Sequence, residues 1–143
     1  MKKRTKVLFV CIGNSCRSQM AEALGRHLAS DVMEPASAGI SPLGRVAEAT
    51  LRVMHERGVS TNGLYSKGVQ ELDPDSFQLI VNMTGMPGNA LFPGAQVLDW
   101  EIDDPFGEDL ATHRRICDDI EELVKKLAET LRAKLPESGK AKQ

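Results

Sequence analysis

The sequence predicts an α/β fold, built as a small four-stranded parallel sheet with helices on both faces. The first observation is the short apolar run at residues 7–10, which lacks polar alternation and is therefore typical of a strand buried on both faces. The second is that such runs alternate with segments whose apolar residues recur at helical spacing. Strands that alternate with helices imply parallel strands joined by right-handed crossovers.

Three further strand signals follow the first. Residues 35–39 predict a weak second strand that ends in a turn. Residues 77–83 predict a central strand, and residues 96–100 predict the fourth strand. The segment between these two, residues 84–95, contains three glycines and two prolines, and we predict no regular element there. Residues 59–76 are also predicted to be loop-rich.

Three helix signals separate the strands. The first covers residues 18–30, the second covers residues 46–57 and stops at Gly58, and the third covers residues 108–134. We expect the long apolar stripe of the third helix to cover one face of the sheet. The stripe of the first helix consists of Met20, Ala23, Leu24, His27 and Leu28. That of the third consists of Leu110, Ile116, Ile120, Leu123, Leu127 and Leu131.

Length and composition restrict the class of protein. The 143 residues predict one domain over residues 1–135, followed by a frayed polar tail at residues 136–143. A net charge of −2 argues against nucleic acid or an anionic membrane as a partner. The basic residues 1–6 precede an apolar run that is too short for a signal or transmembrane segment, and three cysteines fit a reducing compartment. We therefore expect a cytoplasmic protein.

The turn after the first strand has a cysteine and an arginine at its two ends. Cys11 follows the apolar run, Gly13 permits a sharp turn, and Arg17 stands just before the predicted helix. Backbone N–H groups and a helix dipole at such a turn favour an anion, including the thiolate, which is the nucleophilic form of cysteine. A guanidinium can hold two oxygens of a phosphate or similar tetrahedral anion. The segment therefore predicts an oxyanion site with a nucleophile, in which Ser18 caps the helix or donates to the thiolate.

Residues 7–22 read VLFVCIGNSCRSQMAE. This segment resembles the phosphate-binding loop of the low-molecular-weight protein tyrosine phosphatase superfamily, which also contains the thioredoxin-coupled arsenate reductases. The resemblance covers roughly residues 5–132, since three later segments occur in the order and approximate spacing of that superfamily. They are Ser37-Ala38-Gly39, residues 79–83 and Asp103-Asp104-Pro105.

The resemblance implies a role for each residue of the loop. Cys11 is implied to attack phosphorus and form a cysteinyl-phosphate, while Arg17 binds the anion. Asn14 is implied to order the loop through side-chain hydrogen bonds, and Ser18 to stabilise the thiolate as it leaves. The substrate-binding residues implied in the loop are Ile12, Gly13, Asn14, Ser15, Cys16 and Ser18.

The proposed attack also needs a proton donor for the leaving oxygen. A carboxylic acid held near the loop can supply it by general acid catalysis, and Asp104 is the candidate because Pro105 fixes the backbone that follows. The resemblance likewise implies that the Asp before Pro is the acid. Phe106 stands where phosphotyrosine-directed members carry an aromatic residue, which implies that it flanks the substrate.

The remaining cysteines and the histidines carry weaker signals. The resemblance implies that Cys16 can form a reversible disulfide with Cys11 under oxidation. Cys117 lies among apolar residues of the long helix and is interpreted as a packed core residue. The histidines lack metal-ligand spacing, so we predict helix or rim positions for them and no metal or other cofactor. They are His27, His55 and His113.

These residues together predict a cysteine-dependent phosphatase that acts on phosphotyrosine or on other aryl or protein phosphate monoesters. The partners expected are a phosphorylated protein or a small aryl phosphate, or a free phosphate or arsenate ion. A module that binds phosphate without catalysis is a different hypothesis, and it predicts that a catalytic residue is missing. Both Cys11 and Asp104 are present, which favours the enzyme.

Two other enzymatic activities are alternatives. Arsenate reduction is one, because the loop sequence at residues 13–22 looks closer to the reductases of the superfamily. Those reductases need two further cysteines after the central strand, and residues 82–93 contain none, so the resolving thiol would have to be external. A protein arginine phosphatase is the other, because the loop position of Ser15 influences selectivity in that related group.

Overall fold

The computed structural model describes residues 4–134 and contains a four-stranded parallel sheet in the order β2-β1-β3-β4. The predicted α/β fold with four parallel strands is confirmed. The predicted polar tail, residues 136–143, lies outside the described residues. The strands are β1 (Thr5–Cys11), β2 (Met33–Gly39), β3 (Leu79–Asn82) and β4 (Val97–Asp99). The helices are α1 (Arg17–Ala29), α2 (Glu48–Glu56), α3 (Gly88–Leu91) and α4 (Leu110–Lys134).

The central strand β1 is buried on both faces, as its unbroken apolar run predicts. Val7 and Phe9 point into one core cluster, and Leu8 and Val10 point into another on the opposite face. The period of two along the strand thus places every residue of this run in a core. Because β1 pairs with both β2 and β3, its carboxyl end lies at the middle of the sheet.

The three longer helices all contribute to the core cluster that contains Val7 and Phe9. The buried face of α4 carries Ile116, Ile120 and Val124 rather than Leu123, which is only half-buried. The other sheet face is covered by side chains from the segment that contains two short 3₁₀ turns, Val69–Glu71 and Pro74–Ser76, and from the chain after α3. The covering side chains are Val69, Leu72 and Phe77 from that segment and Phe92 after α3. Helical segments therefore cover both faces, but the long ones share a single face.

Several element boundaries differ from those predicted, and local hydrogen bonds explain two of them. The second helix begins at Glu48 and not at residue 46, because Ala47 is extended and its N–H donates to the carbonyl of Ser15. The last helix begins two residues late because the Asp109 carboxylate accepts from the N–H of Thr112, as an N-cap does.

Other differences come from pairing and packing. The second strand begins earlier than predicted because Met33 and Glu34 pair with the start of β1. Helix α3 was not predicted, since its four residues are too short to show a helical period. His27 was placed on the apolar stripe of α1, but it is exposed, so that prediction was wrong.

The chain switches direction across the sheet at β1, which lies between β2 and β3. In parallel α/β sheets, ligands bind beyond the carboxyl ends of the strands at such a switch point. Cys11, the last residue of β1, lies at this position. None of the helices within residues 4–134 is long and apolar enough to cross a membrane.

Candidate active site

The segment that connects β1 to α1, residues 11–17, forms a closed turn that we call the phosphate loop. Four of its carbonyl oxygens accept hydrogen bonds of 2.8–3.1 Å from backbone N–H groups of residues 40–47. Because the C=O and N–H of one trans peptide group point in opposite directions, the N–H groups that follow these carbonyls face the other side of the loop. The donor and acceptor pairs are Ile40 to Cys11, Ser41 to Ile12, Leu43 to Gly13 and Ala47 to Ser15.

Asn14 fixes the shape of the phosphate loop from beneath. Its backbone has φ of 48°, the one positive value for a non-glycine residue among residues 4–134, and asparagine tolerates this region better than most residues. Its side chain is fully buried and donates to the hydroxyls of Ser18 (2.7 Å) and Ser37 (3.0 Å). Its Oδ1 accepts from the backbone N–H of Lys67 and from the Gln19 amide, both at 2.9 Å. These four bonds hold a conformation that would otherwise be unfavourable.

The Cys11 sulfur lies 2.8 Å from the Ser18 hydroxyl oxygen, and both groups are buried. Because Ser18 already accepts a hydrogen bond from Asn14, its own O–H is free to donate to the sulfur. Ser18 was expected either to cap the helix or to donate to the thiolate. It does not cap the helix, because α1 begins at Arg17 and no side chain caps its N-terminus. The arrangement stabilises negative charge on Cys11 with a hydroxyl donor as well as with the start of α1.

Arg17 is buried and bridges the phosphate loop to the two loops that follow β3 and β4. Its Nη1 donates to the carbonyls of Met83 and Ile102, and its Nη2 lies 3.5 Å from Oδ2 of Asp104. Its Nε, however, is buried and has no hydrogen-bond partner among the described residues. A buried donor without a partner is costly, so this nitrogen is available to donate to an anion bound in the pocket that Arg17 lines.

Asp104 lines the same pocket as Cys11 and Arg17, and about half of its side chain is exposed. Its Oδ1 accepts from the N–H of Phe106 at 3.0 Å, so a short turn sets the positions of both residues. Phe106 is 49% exposed. The carboxylate thus reaches both the guanidinium of Arg17 and the solvent side of the pocket.

The pocket of about 230 Å³ brings most of the predicted site residues together, and two of them lie elsewhere. Asn14 and Ser18 do not line it, because they form the supporting hydrogen bonds beneath the loop. Ser41 and Leu43 line it but were not predicted, and their hydrogen bonds to the loop carbonyls were not visible in the sequence. The predicted residues that line the pocket are Cys11, Ile12, Gly13, Ser15, Cys16, Arg17, Asp104 and Phe106.

An ionic cluster around the buried carboxylate of Glu22 lies under the loop. Glu22 accepts a hydrogen bond of 2.6 Å from Ser37 Oγ, and its carboxylate also contacts Arg26 and, at 3.9 Å, the Lys67 ammonium. Burial lowers the pKa of Lys67, and the negative charge of Glu22 partly offsets that effect. The cluster therefore connects α1, β2 and the segment before the first 3₁₀ turn through paired charges, with Asn14 bonded to Ser37 above it.

Gly39 lets the backbone of β2 approach the loop. A Cβ atom there would lie 2.6 Å from the carbonyl oxygen of Ile12 and 2.9 Å from the backbone nitrogen of Asn14. Both contacts are to backbone and cannot move aside cheaply. Within residues 4–134, no three His, Cys, Asp or Glu side chains are grouped closely enough to hold a metal ion.

A family model described as low molecular weight phosphotyrosine protein phosphatase matches residues 6–137. The chain belongs to this family. It is also 31% identical over 127 residues to the glutaredoxin arsenate reductase of Synechocystis sp., which covers 85% of this chain and 95% of that protein. Relatives with this degree of similarity thus include an arsenate reductase.

Solved structures of family members show the same fold. An arsenate reductase in the phosphate-binding state superposes with a TM-score of 0.80 at 30% identity, covering 89% of this chain and 98% of that one. An arginine phosphatase from Geobacillus stearothermophilus superposes with a TM-score of 0.79 at 29% identity, covering 90% and 94%. This family member is therefore a cysteine-based phosphatase or arsenate reductase.

Proposed function

We propose that the protein is a phosphatase that hydrolyses phosphate monoesters through a cysteinyl-phosphate intermediate. The observation that carries the proposal is a buried anion seat surrounded by an exposed apolar rim. The seat contains two buried polar atoms without partners among the described residues, Arg17 Nε and Ser15 Oγ. The rim consists of Ile12, Leu43 and Phe106, all between 39% and 51% exposed.

The rim favours an organic phosphate over a free inorganic anion. A bound tetrahedral oxyanion would accept from the two unpartnered groups, but it is too small and too polar to need apolar walls. A phosphate ester whose leaving group is apolar or aromatic would cover Leu43 and Phe106 and remove their exposed area from water. The rim therefore supports phosphotyrosine or another aryl phosphate as the substrate class.

The first chemical step uses groups on both sides of the pocket. The Cys11 thiolate attacks phosphorus, the bond between phosphorus and the leaving oxygen breaks, and Asp104 gives its proton to that oxygen. Arg17 and the loop N–H groups hold the other phosphate oxygens as charge develops on them. Asp104 is suitable because its half-exposed carboxyl lines the same pocket as Cys11 and Arg17, where it can meet the leaving oxygen.

The second step returns the enzyme to its starting state. The Asp104 carboxylate now takes a proton from water, the water oxygen attacks phosphorus, and the bond between sulfur and phosphorus breaks. The Cys11 thiolate leaves, and the Ser18 hydroxyl stabilises it from 2.8 Å. The same carboxyl group thus serves as acid in one step and base in the next.

A second candidate function, arsenate reduction, is favoured by the similarity to known arsenate reductases. Arsenate would use the same seat, but reduction needs another thiol to release the arsenylated Cys11. Residues 83–93 contain no cysteine, and Thr84 there is buried and bonded to Asn82 and Met86. This route therefore depends on a thiol from outside the segment, such as a small thiol with glutaredoxin.

A third candidate, a protein arginine phosphatase, is favoured by the similarity to the Geobacillus stearothermophilus structure. Ser15 is small, buried and lines the pocket, which leaves space near the anion seat. A phosphoarginyl peptide must therefore be compared directly with a phosphotyrosyl peptide.

The deciding experiment measures four reactions of the purified protein in excess reductant. They are phosphate release from p-nitrophenyl phosphate, from a phosphotyrosyl peptide and from a phosphoarginyl peptide, and arsenite formation with thioredoxin or with glutathione and glutaredoxin. We expect hydrolysis of the aryl substrates and negligible arsenate reduction. Rapid arsenate reduction with only trace phosphate release would overturn the proposal in favour of the second candidate. Preference for the phosphoarginyl peptide would establish the third.

Cys117→Ser is the matched control for these assays. Cys117 is buried in α4 outside the pocket, and burial raises the pKa of its thiol to about 12. We expect this variant to keep all activities of the wild type, whereas Cys11→Ser should lose them. Turnover that survives in Cys11→Ser would mean that another residue is the nucleophile.

A further inference from the structure

A buried imidazole contacts the second cysteine of the phosphate loop. The Sγ of Cys16 lies 3.7 Å from Nε2 of His113, and the two residues are 3% and 2% exposed. They are 97 positions apart in the chain, and they meet because α4 packs along α1. The sequence predicted His113 to be an ordinary helix or rim residue, so this contact is new information from the structure.

The hydrogen bonds of His113 show that the ring nitrogen next to the Cys16 thiol is the one that can accept a proton. Nδ1 lies 2.9 Å from the backbone carbonyl oxygen of Asp109. A carbonyl oxygen can only accept, so Nδ1 carries the hydrogen and donates it. In the neutral ring Nε2 is then unprotonated, and it can accept the S–H of Cys16.

Burial of Cys16 disfavours the ionised form of its thiol. Burial raises the pKa of the Cys16 thiol, hydrogen bonds with Thr50 and Ser15 only partly offset that rise, and the negative charge of Asp104 adds to it. A neutral thiol does not attack other sulfur atoms until it loses its proton. Nε2 of His113 is the group placed to take that proton.

Both loop cysteines line the pocket, so a small oxidant that reaches Cys11 also comes close to Cys16. Cys117 does not line it. Of the three cysteines in the chain, only Cys16 therefore shares the pocket with Cys11 and has a basic nitrogen beside it.

We propose that His113 is the proton acceptor that makes Cys16 a resolving thiol for an oxidised Cys11. A resemblance to related phosphatases implied the disulfide alone; the structure adds the residue that permits it and the order of proton transfer. This inference goes beyond the proposed function and does not depend on it, because the product is a covalent bond that can be measured directly.

The oxidation proceeds in two balanced steps with hydrogen peroxide as the oxidant. The Cys11 thiolate attacks one peroxide oxygen, the O–O bond breaks, and the sulfenic acid forms as hydroxide leaves. Cys16 then attacks the Cys11 sulfur, its proton moves to His113 Nε2, and the S–O bond breaks as a second hydroxide leaves. Protonation of both hydroxides gives two waters and a Cys11–Cys16 disulfide. An external thiol reduces the disulfide and restores both thiols.

The test treats the reduced full-length protein with hydrogen peroxide, blocks free thiols by alkylation at set times, and maps the products by mass spectrometry. In the wild type we expect a Cys11–Cys16 disulfide that dithiothreitol reverses. In His113→Gln, which keeps hydrogen-bonding capacity but has no basic nitrogen, disulfide formation should slow by at least about tenfold. Cys11 sulfinic acid should accumulate in its place, because the sulfenic acid survives long enough for a second oxidation.

Two controls separate proton acceptance from a merely structural role of His113. His113→Met fills similar space without a basic nitrogen and should behave like His113→Gln, while the reduced forms of both keep the melting temperature and the p-nitrophenyl phosphate turnover of the wild type. Cys117→Ser should form the loop disulfide at the wild-type rate. Wild-type rates in either His113 variant, a disulfide that contains Cys117, or sulfinic acid as the main wild-type product would each overturn the proposal.

Discussion

The phosphate loop and the loop that carries Asp104, residues 101–107, face the same pocket but are built in different ways. Most side chains of the phosphate loop are buried, and its carbonyls are bound by residues 40–47. In the Asp104 loop only Pro105 is buried, and the side chains that face the pocket are half-exposed. From this difference we infer that the phosphate loop is fixed for anion binding and attack, whereas the Asp104 loop can adjust to the leaving group.

The largest effect should come from the fixed loop. Cys11→Ser should lower kcat for p-nitrophenyl phosphate by at least about a thousandfold, because the hydroxyl is not ionised at neutral pH and has no adjacent base. The shape of the seat should remain, since Asn14, Arg17 and the loop backbone are unchanged. Steady-state kinetics measure the loss, and calorimetry with inorganic phosphate measures what is retained.

The kinetics and the phosphate calorimetry of Cys11→Ser also test whether the phosphate loop is fixed in shape before the anion binds. If Cys11→Ser loses phosphate binding along with turnover, the loop is not a preformed seat, and the sulfur contributes to its shape. If turnover persists, the nucleophile has been assigned to the wrong residue.

The next effect concerns the adaptable loop. Asp104→Asn should lower kcat by about a hundredfold or more for phenyl phosphate, because the amide cannot give a proton to the leaving oxygen. The loss should be smaller for p-nitrophenyl phosphate, whose leaving group needs protonation less. A plot of rate against leaving-group basicity for wild type and variant measures this difference.

Asp103→Asn is the matched control for that series, since Asp103 is exposed, adjacent and outside the residues that line the pocket. It should leave both rates near those of the wild type. An equal loss for the two leaving groups in Asp104→Asn would mean that the carboxylate only positions Arg17, from which it lies 3.5 Å.

A third substitution removes the support beneath the phosphate loop. Asn14→Ala should lower the free energy of unfolding by about 2–3 kcal/mol, because Ser18, Ser37, Gln19 and the Lys67 N–H lose a buried partner. Activity should fall by about tenfold as well, since the φ of 48° is no longer held and the Ser18 donor loses its orientation. Chemical denaturation and kinetics measure the two effects.

Asn14→Gly separates the causes. Glycine adopts positive φ without strain. The substitution therefore removes the side-chain hydrogen bonds of Asn14 without making the φ of 48° unfavourable. If Asn14→Gly is as stable as the wild type, the side-chain bonds contribute little and the rigidity of the loop comes from its backbone contacts alone.

The parts of the site that were predictable are those encoded by neighbouring residues. Cys11 to Arg17 form one short turn, so the spacing of a strand, a glycine and a helix start was enough to place them. Asp104 and Phe106 came from a resemblance that fixed their order along the chain. Among these, the geometry of Asn14 and Ser18 still had to come from the structure, which places them beneath the loop and not in its pocket.

The parts that were missed depend on contacts between distant segments. Leu43 lines the pocket only because its N–H bonds to Gly13, and His113 meets Cys16 only because α4 packs along α1. Neither residue has a local pattern that differs from an ordinary loop or helix position. Helix α3 was missed for a different reason: its four residues are too few to show a helical period in the sequence.

The smallest predicted effect tests whether the apolar rim selects the substrate. Phe106→Ala should raise KM for phenyl phosphate by about fivefold and leave kcat nearly unchanged, because a half-exposed ring can gain only part of its burial energy on contact with the substrate. Inhibition by inorganic phosphate should not change, since that ion occupies the seat and does not reach the ring.

Met86→Ala is the matched control, because Met86 is a comparably exposed apolar residue that does not line this pocket. It should leave both constants unchanged. If Phe106→Ala weakens inhibition by inorganic phosphate as much as it raises KM, the ring supports the anion seat through the Asp104 turn, to which its N–H is bonded. The two loops would then act as one unit, and the division between a fixed seat and an adaptable rim would not hold.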